Sequence, residues 1–291
     1  LAVLVSLLLA APARADGLIR GDQASKSAFD AGISAYQAGK FAEAVQAFTQ
    51  AIEANPQLAS AYSNRCLANL QQGDNAQAIE DCTQSLNLNP ASVDSYLNRG
   101  LAYFRLAHLR SALTDFNQAM ALQPEDYRAY YNRGLTRFDL KDYEGAIADY
   151  TLALDNRSPL PDSRLADLYN DRAVAYLALN QPEPALTDLN HAIQVNQEDA
   201  RAYFNRACCH HMLADWRASL QDYDRVLAFT PDYAQAYFNR AMLHQQMGNT
   251  QSAIADLSQA ARKFRDQGLA KPYQRALTLL RQMQTPSSAL G

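Results

Sequence analysis

Ser95-Tyr96-Leu97-Asn98-Arg99 is the stretch from which the rest of the chain can be read. It returns as Tyr62-Ser63-Asn64-Arg65, Tyr130-Tyr131-Asn132-Arg133, Tyr203-Phe204-Asn205-Arg206 and Tyr237-Phe238-Asn239-Arg240, with a variant at Tyr169-Asn170-Asp171-Arg172. Successive copies lie 34 residues apart except across one join. Self-similarity at that period marks a helical repeat array, in which each unit buries its apolar face only by stacking on its neighbours.

One unit shows how the local structure follows. Residues 25–58 begin with Phe29, Gly32, Ile33 and Tyr36, turn at Gly39-Lys40, and continue with Phe41, Ala44, Val45, Phe48, Ala51 and Ile52 up to Asn55-Pro56. Both apolar series have helical spacing, so the unit reads as an antiparallel helix hairpin. The same hairpin recurs at 59–92, 93–126, 127–160, 166–199, 200–233 and 234–267. Pro56, Pro90, Pro124 and Pro231 close four of them, because proline lacks the N–H that would continue a helix. Gly32, Cys66, Gly100, Gly134, Ala173, Ala207 and Ala241 keep one first-helix slot small. Phe48, Phe116, Tyr150, Leu189, Tyr223 and Leu257 fill the opposing second-helix slot. Small against large is how such helices interlock.

The order of aromatic, Gly/Ala, Tyr, Ala, Phe/Tyr, Ala and Pro resembles the tetratricopeptide repeat family over nearly all of 25–267. That resemblance implies an all-α, right-handed superhelical solenoid of seven antiparallel hairpins, and it implies an interaction scaffold rather than any one activity. The join at 156–164, with Pro159 and Pro161, reads as an exposed surface loop. Residues 268–284, with Leu277, Leu279, Leu280 and Met283 on one side, are expected to form a capping helix. The tail 285–291 is expected to be disordered.

Before the array, residues 1–11 are apolar but too few to span a bilayer, and Pro12 and Ala13-Arg14-Ala15 follow. This reads as a secretory signal over 1–15, with an uncleaved N-terminal anchor or a chance apolar start as the alternative, then a polar lead over 16–24, so the expected location is the periplasm or an equivalent lumen, and no later stretch is expected to span a membrane. The net charge is only −4 with no long basic run, which argues against nucleic acid as a partner.

Two charges recur with the phrase. Arg65, Arg99, Arg133, Arg172, Arg206 and Arg240 hold one first-helix slot; Asp81, Asp115, Asp149, Asp188, Asp222 and Asp256 hold one second-helix slot. The first unit has Ala31 and Ala47 there, so both members are lost together. Paired charges are therefore expected, within a unit or between neighbours. The Tyr of the phrase is read as core. The Asn admits two readings: a tie between neighbouring units, or a column of amides that hydrogen-bonds an extended peptide backbone. The second is similar to the asparagine ladder of the O-linked N-acetylglucosamine transferases. On it, Asn64, Asn98, Asn132, Asn205 and Asn239, with Leu97, Tyr131, Phe204 and Phe238 beside them, form the expected peptide-binding set. The Lys, Asn and Arg cluster with which some family members grip an acidic C-terminus is not expected, because Leu and aromatic residues occupy most of that face.

Cys66 and Cys82 take facing slots of the second unit. Two buried free thiols are expected, since paired helices often leave Cα atoms too far apart, with a disulfide as the alternative in an oxidising compartment. In Cys208-Cys209-His210-His211 only Cys208 and His211 share a helix side, a poor metal signature. No catalytic motif stands apart from the repeats, and no cofactor is implied. The expected function is a non-catalytic scaffold that binds an extended segment of a partner protein and serves the assembly or maintenance of exported proteins. The competing reading is a metal- or redox-responsive binder using Cys208/His211 and Cys66/Cys82.

Overall fold

A computed structural model describes residues 23–155 and 162–284. The expected signal segment, nearly all of the expected polar lead, residues 156–161 of the expected loop and the tail 285–291 lie outside the described residues. Fifteen helices and no strands occur among the described residues. The chain divides into two compact blocks, residues 1–159 and 160–291.

The N-terminal block holds α1 (Gln23–Gln37), α2 (Phe41–Ala54), α3 (Ala59–Gln72), α4 (Asn75–Leu88), α5 (Val93–Arg105), α6 (Leu109–Leu122), α7 (Tyr127–Asp139) and α8 (Tyr143–Asp155). These pair as four hairpins, and each second helix packs on the first helix of the next. The small slots are small because the helices nearly touch there. A Cβ added to Gly32, Gly100 or Gly134 would lie 2.5, 2.6 or 2.7 Å from the ring of Phe48, Phe116 or Tyr150. Each of those rings is at most 1% exposed, so none can step aside.

Cys66 and Cys82 are joined by a disulfide with Cα atoms 5.4 Å apart, which corrects the expectation of free thiols. The same close approach that demands glycine in the neighbouring hairpins brings these Cα atoms within bonding range.

The C-terminal block holds α9 (Asp162–Ala178), α10 (Pro182–Val195), α11 (Ala200–Met212), α12 (Trp216–Phe229), α13 (Ala234–Gln246), α14 (Thr250–Asp266) and α15 (Ala270–Gln284). Three hairpins stack, and α15 follows as a single helix on α14. Asp162, Ser163 and Arg164, expected in the loop, form the first turn of α9 instead. Asp162 there favours the helix N-terminus electrostatically, and Leu165 and Leu168 already keep helical spacing. Pro182 opens α10, where its missing N–H costs little. Ala276 and Leu280 of α15 are buried in a cluster with Phe238, Leu257 and Phe264, and Tyr273, Leu277 and Met283 pack against it. No described helix is long and apolar enough to cross a membrane.

All seven hairpins turn through a left-handed residue at the same slot. Gly39, Gly73 and Gly248 take it at φ +73°, +83° and +79°, but Ala107, Lys141, Asn180 and Ala214 take it at 58–63°.

Candidate functional site

The Arg of the phrase is a structural clamp. In all six copies its Nε lies 2.7–2.9 Å from one carboxylate oxygen of the Asp sixteen residues on, and a second nitrogen lies 2.5–2.8 Å from the other. The pairing is within the hairpin, and each Asp is buried. The remaining guanidinium nitrogen reaches back sixteen residues to the preceding second helix. Arg65 meets Thr49, Arg99 meets Thr83, Arg133 meets Asn117, Arg206 meets Asn190 and Arg240 meets Asp224. One side chain thus fastens its own hairpin and the joint to the one before.

Burial pushes the Asp115 carboxyl up, against the bonds from Arg99 that pull it down. Those same bonds hold Arg99 protonated more firmly than usual. The two-point geometry fits an ionised pair, and we take that as its neutral-pH state. The Tyr of the phrase is core at Tyr130 alone: Tyr62, Tyr96, Tyr169, Tyr203 and Tyr237 are half-buried, each 5.3–5.9 Å beneath its Arg.

The expected peptide-binding set is largely packed away. Asn64, Asn98, Asn132 and Asn205 are buried, Asn98 to 1% exposure, and Leu97, Tyr131, Phe204 and Phe238 are buried with them. Asn64, Asn98 and Asn132 each already have a partner. Asn205 donates to the side-chain oxygen of Asn170 at 3.0 Å, tying α11 to α9. Beside three of these amides the preceding residue, Leu97, Tyr131 or Phe204, is itself packed into the core. Only Asn239 is half-exposed.

A second set of ties escaped the sequence reading. Arg128 bridges Asp94 of the preceding first helix and Asp126 before its own helix, and Arg201 does the same with Asp167 and Asp199. Opposite charges at one slot a period apart, Asp94/Arg128 and Asp167/Arg201, are the signal that could have found them.

The first-helix face opens at the end of the C-terminal block. Gln235 and Phe238 of α13, Phe264 of α14, and Lys271, Pro272 and Arg275 of α15 line a pocket of about 230 Å³. The Arg275 guanidinium lies 5.2 Å from the centre of the Phe238 ring. Gln235 donates to the Asn239 oxygen at 2.8 Å. A larger polar cleft of about 490 Å³ beside Tyr203, Arg206 and Arg225 contains Asp222 and Asp224, both already paired with arginines.

The metal-ligand pair does not converge. Cys208 sulfur lies 3.6 Å from the Tyr223 hydroxyl, whereas the His211 Nε2 is 2.7 Å from Gln246. Burial pushes the Cys208 thiol up, and Cys209 from an ordinary 9.0 to about 12. No group of three or more ligating side chains assembles among the described residues.

Family comparison agrees with this architecture. A tetratricopeptide repeat model matches residues 29–93, 97–161 and 170–234, and a second one matches 234–262. Among solved structures, a tetratricopeptide repeat protein from Parabacteroides merdae ATCC 43184 is 19% identical, with TM-score 0.66, covering 88% of this chain and 99% of that one. Pseudomonas aeruginosa pilF is 18% identical, with TM-score 0.64, covering 76% and 97%. YrrB, described as a TPR protein with an unusual peptide-binding site, is 23% identical, with TM-score 0.55, covering 68% and 99%. No curated protein matches. With hairpins, slots and family models in agreement over most of its length, the chain belongs to the tetratricopeptide repeat family.

Proposed function

We propose that the protein is a non-catalytic interaction scaffold that holds an extended segment of a partner protein, using the first-helix face where it opens at α13 and α15. The observation that carries this reading is the pocket at Phe238. Elsewhere in the described part of the array the corresponding side chains are committed to packing, and here the exposed polar groups of Gln235, Lys271 and Arg275 surround a pocket floored by the buried rings of Phe238 and Phe264. Of the expected set, Phe238 and Asn239 are retained as binding residues. A small concave site with few convergent polar groups is the usual form of a recognition site.

An exported location is supported by two independent features. The first 15 residues have the pattern of a secretory signal. The Cys66–Cys82 disulfide fits an oxidising compartment, since such bonds are rare where thiols are kept reduced. That bond does not carry the redox-responsive reading, because it sits in a fully buried packing slot.

Site-directed photocrosslinking tests the scaffold reading. A photoreactive residue at Gln235 or at Arg275 should capture a partner in the native compartment, and one at exposed Glu144 of α8 should not. Equal capture at all three positions, or none at Gln235 and Arg275, would overturn it.

A further inference from the structure

In the C-terminal block, the edge where each second helix passes to the next first helix carries side chains that neither packing nor the pocket uses. Phe229 ends α12 and Leu269 follows α14, and these two are 38% and 45% exposed. A single exposed apolar side chain needs no explanation. Here two stand on adjacent turns, and the turns are tied together. Lys263 of α14 pairs with Asp232 of the α12–α13 turn, and Gln267 donates to the Asp232 carbonyl at 2.9 Å. Phe229 is steadied from one side by the Tyr203 ring, with centres 5.7 Å apart.

The charge around the two tips has one sign. Arg225 lies one helical turn before Phe229, Arg262 lies near the end of α14, and Lys271 is the second residue of α15. All three are exposed, and none makes an ion pair among the described residues. The acids beside them are already matched: Asp224 with Arg240, Asp232 with Lys263 and Asp266 with Arg265. The excess is wider than the turns. Residues 260–291 include six basic residues and one acidic residue, although the whole chain is net −4.

Charge and shape together select what can cover this edge. A second copy meeting it about a two-fold axis would set the cations against themselves. A folded protein partner needs a continuous complementary face, and two separate tips offer little of one. A bilayer needs no fixed counter-pattern, because anionic headgroups gather around cations and apolar tips reach the acyl boundary between them. We propose that this edge docks on an anionic lipid surface. Phe229 and Leu269 enter the interface, and Arg225, Arg262 and Lys271 meet the headgroups.

The test sediments the protein with lipid vesicles, using the chain from Asp16 onward, which lacks the expected apolar signal segment and keeps every described helix. Phosphatidylcholine vesicles with about one-third phosphatidylglycerol should bind it at least about tenfold more tightly than pure phosphatidylcholine, and about 0.5 M salt should release it. Arg225→Gln combined with Arg262→Gln should weaken binding at least about tenfold, and Leu269→Gln should weaken it about fivefold. All three residues are exposed, and unchanged circular dichroism and melting would show that the variants are folded. Polyglutamate, an acidic chain with no acyl phase, should bind at least about tenfold more weakly than the vesicles at equal charge concentration. Equal binding to the two vesicle types, or undiminished binding by the double variant or by Leu269→Gln, would overturn the proposal. Polyglutamate binding that matches the vesicles would also overturn it, and would give the edge to an acidic protein instead. Neither Arg225 nor Arg262 lines the pocket at Phe238, so the crosslinks at Gln235 test the scaffold reading separately.

Discussion

At Arg99 the guanidinium sits between two helices of its own hairpin and the second helix of the hairpin before. It spends Nε and one terminal nitrogen on Asp115, at 2.8 and 2.7 Å, and the other on Thr83 at 3.1 Å. Removing only the cation leaves Asp115 buried and unpaired, so Arg99→Met should cost about 3–5 kcal/mol in urea melts. Adding Asp115→Leu should recover much of that loss, because no charge is then stranded. The pair Arg133/Asp149 is a poorer choice for this cycle, since Arg137 also lies 3.0 Å from Asp149. Equal losses for the single and double variants would refute the pairing account. The turn slot gives a prediction of opposite sign. Ala107 and Ala214 hold left-handed backbone, which costs an L-residue roughly 1–2 kcal/mol and glycine nearly nothing. Ala107→Gly should therefore raise stability by about 0.5–1 kcal/mol, against the usual effect of glycine. A lowered melting temperature would refute the strain argument. The sequence showed the Gly at this slot in three hairpins; it could not show that the other four keep the same backbone without it.

Pairing of elements was largely legible from spacing, because position in a hairpin is fixed by count: a 34-residue period and one turn determine which slots face each other. That is why the six Arg–Asp pairs could be anticipated as pairs. What spacing could not supply is distance. It left the clamp's choice between its own hairpin and the neighbour open, and it underestimated how closely α3 and α4 approach at Cys66 and Cys82. It also could not tell an amide on an open face from one covered by its neighbours, so Asn98 looked like a reading residue and is buried. The disulfide and the free thiols behave differently as a result. Reduction of Cys66–Cys82 should destabilise the N-terminal block by about 3 kcal/mol, the loop-closure value for a bond of this separation, and urea melts with and without reductant measure it. Cys209 on α11 is neutral when folded. Its pKa is raised from 9.0 to about 12, so the stability it contributes is complete below pH 9 and is lost as pH rises from there towards 12. Each unit is worth about 1.4 kcal/mol, so the full loss is of order 4 kcal/mol. Cys209→Ala should flatten this alkaline limb of the stability profile; an unchanged limb would assign it to other groups.

For the whole molecule, a repeat array is stabilised by interfaces between neighbours, and its last member has a face that no further repeat covers. In this chain α15 covers it. Phe238, Leu257 and Phe264 of the last hairpin share a buried cluster with Ala276 and Leu280, which would otherwise meet water. The same helix supplies Lys271 and Arg275 to the pocket, so closure of the array and the accessible site depend on one element. A cap and a site can still be separated by face. Leu280 is 9% exposed and serves only the packing side, whereas Arg275 is exposed and serves only the pocket side. Leu280→Asp would place a charge in that apolar cluster without compensation, a change expected to cost several kcal/mol. It should lower the melting temperature, raise the binding of a hydrophobic dye, and speed hydrogen exchange in α13 and α14 before α9 and α10, because coupling in such an array passes from neighbour to neighbour. Arg275→Gln should do none of these. If Leu280→Asp left exchange in α13 and α14 unchanged, α15 would be an appendage to the last hairpin and not its cap, and the pocket would lose its fixed wall.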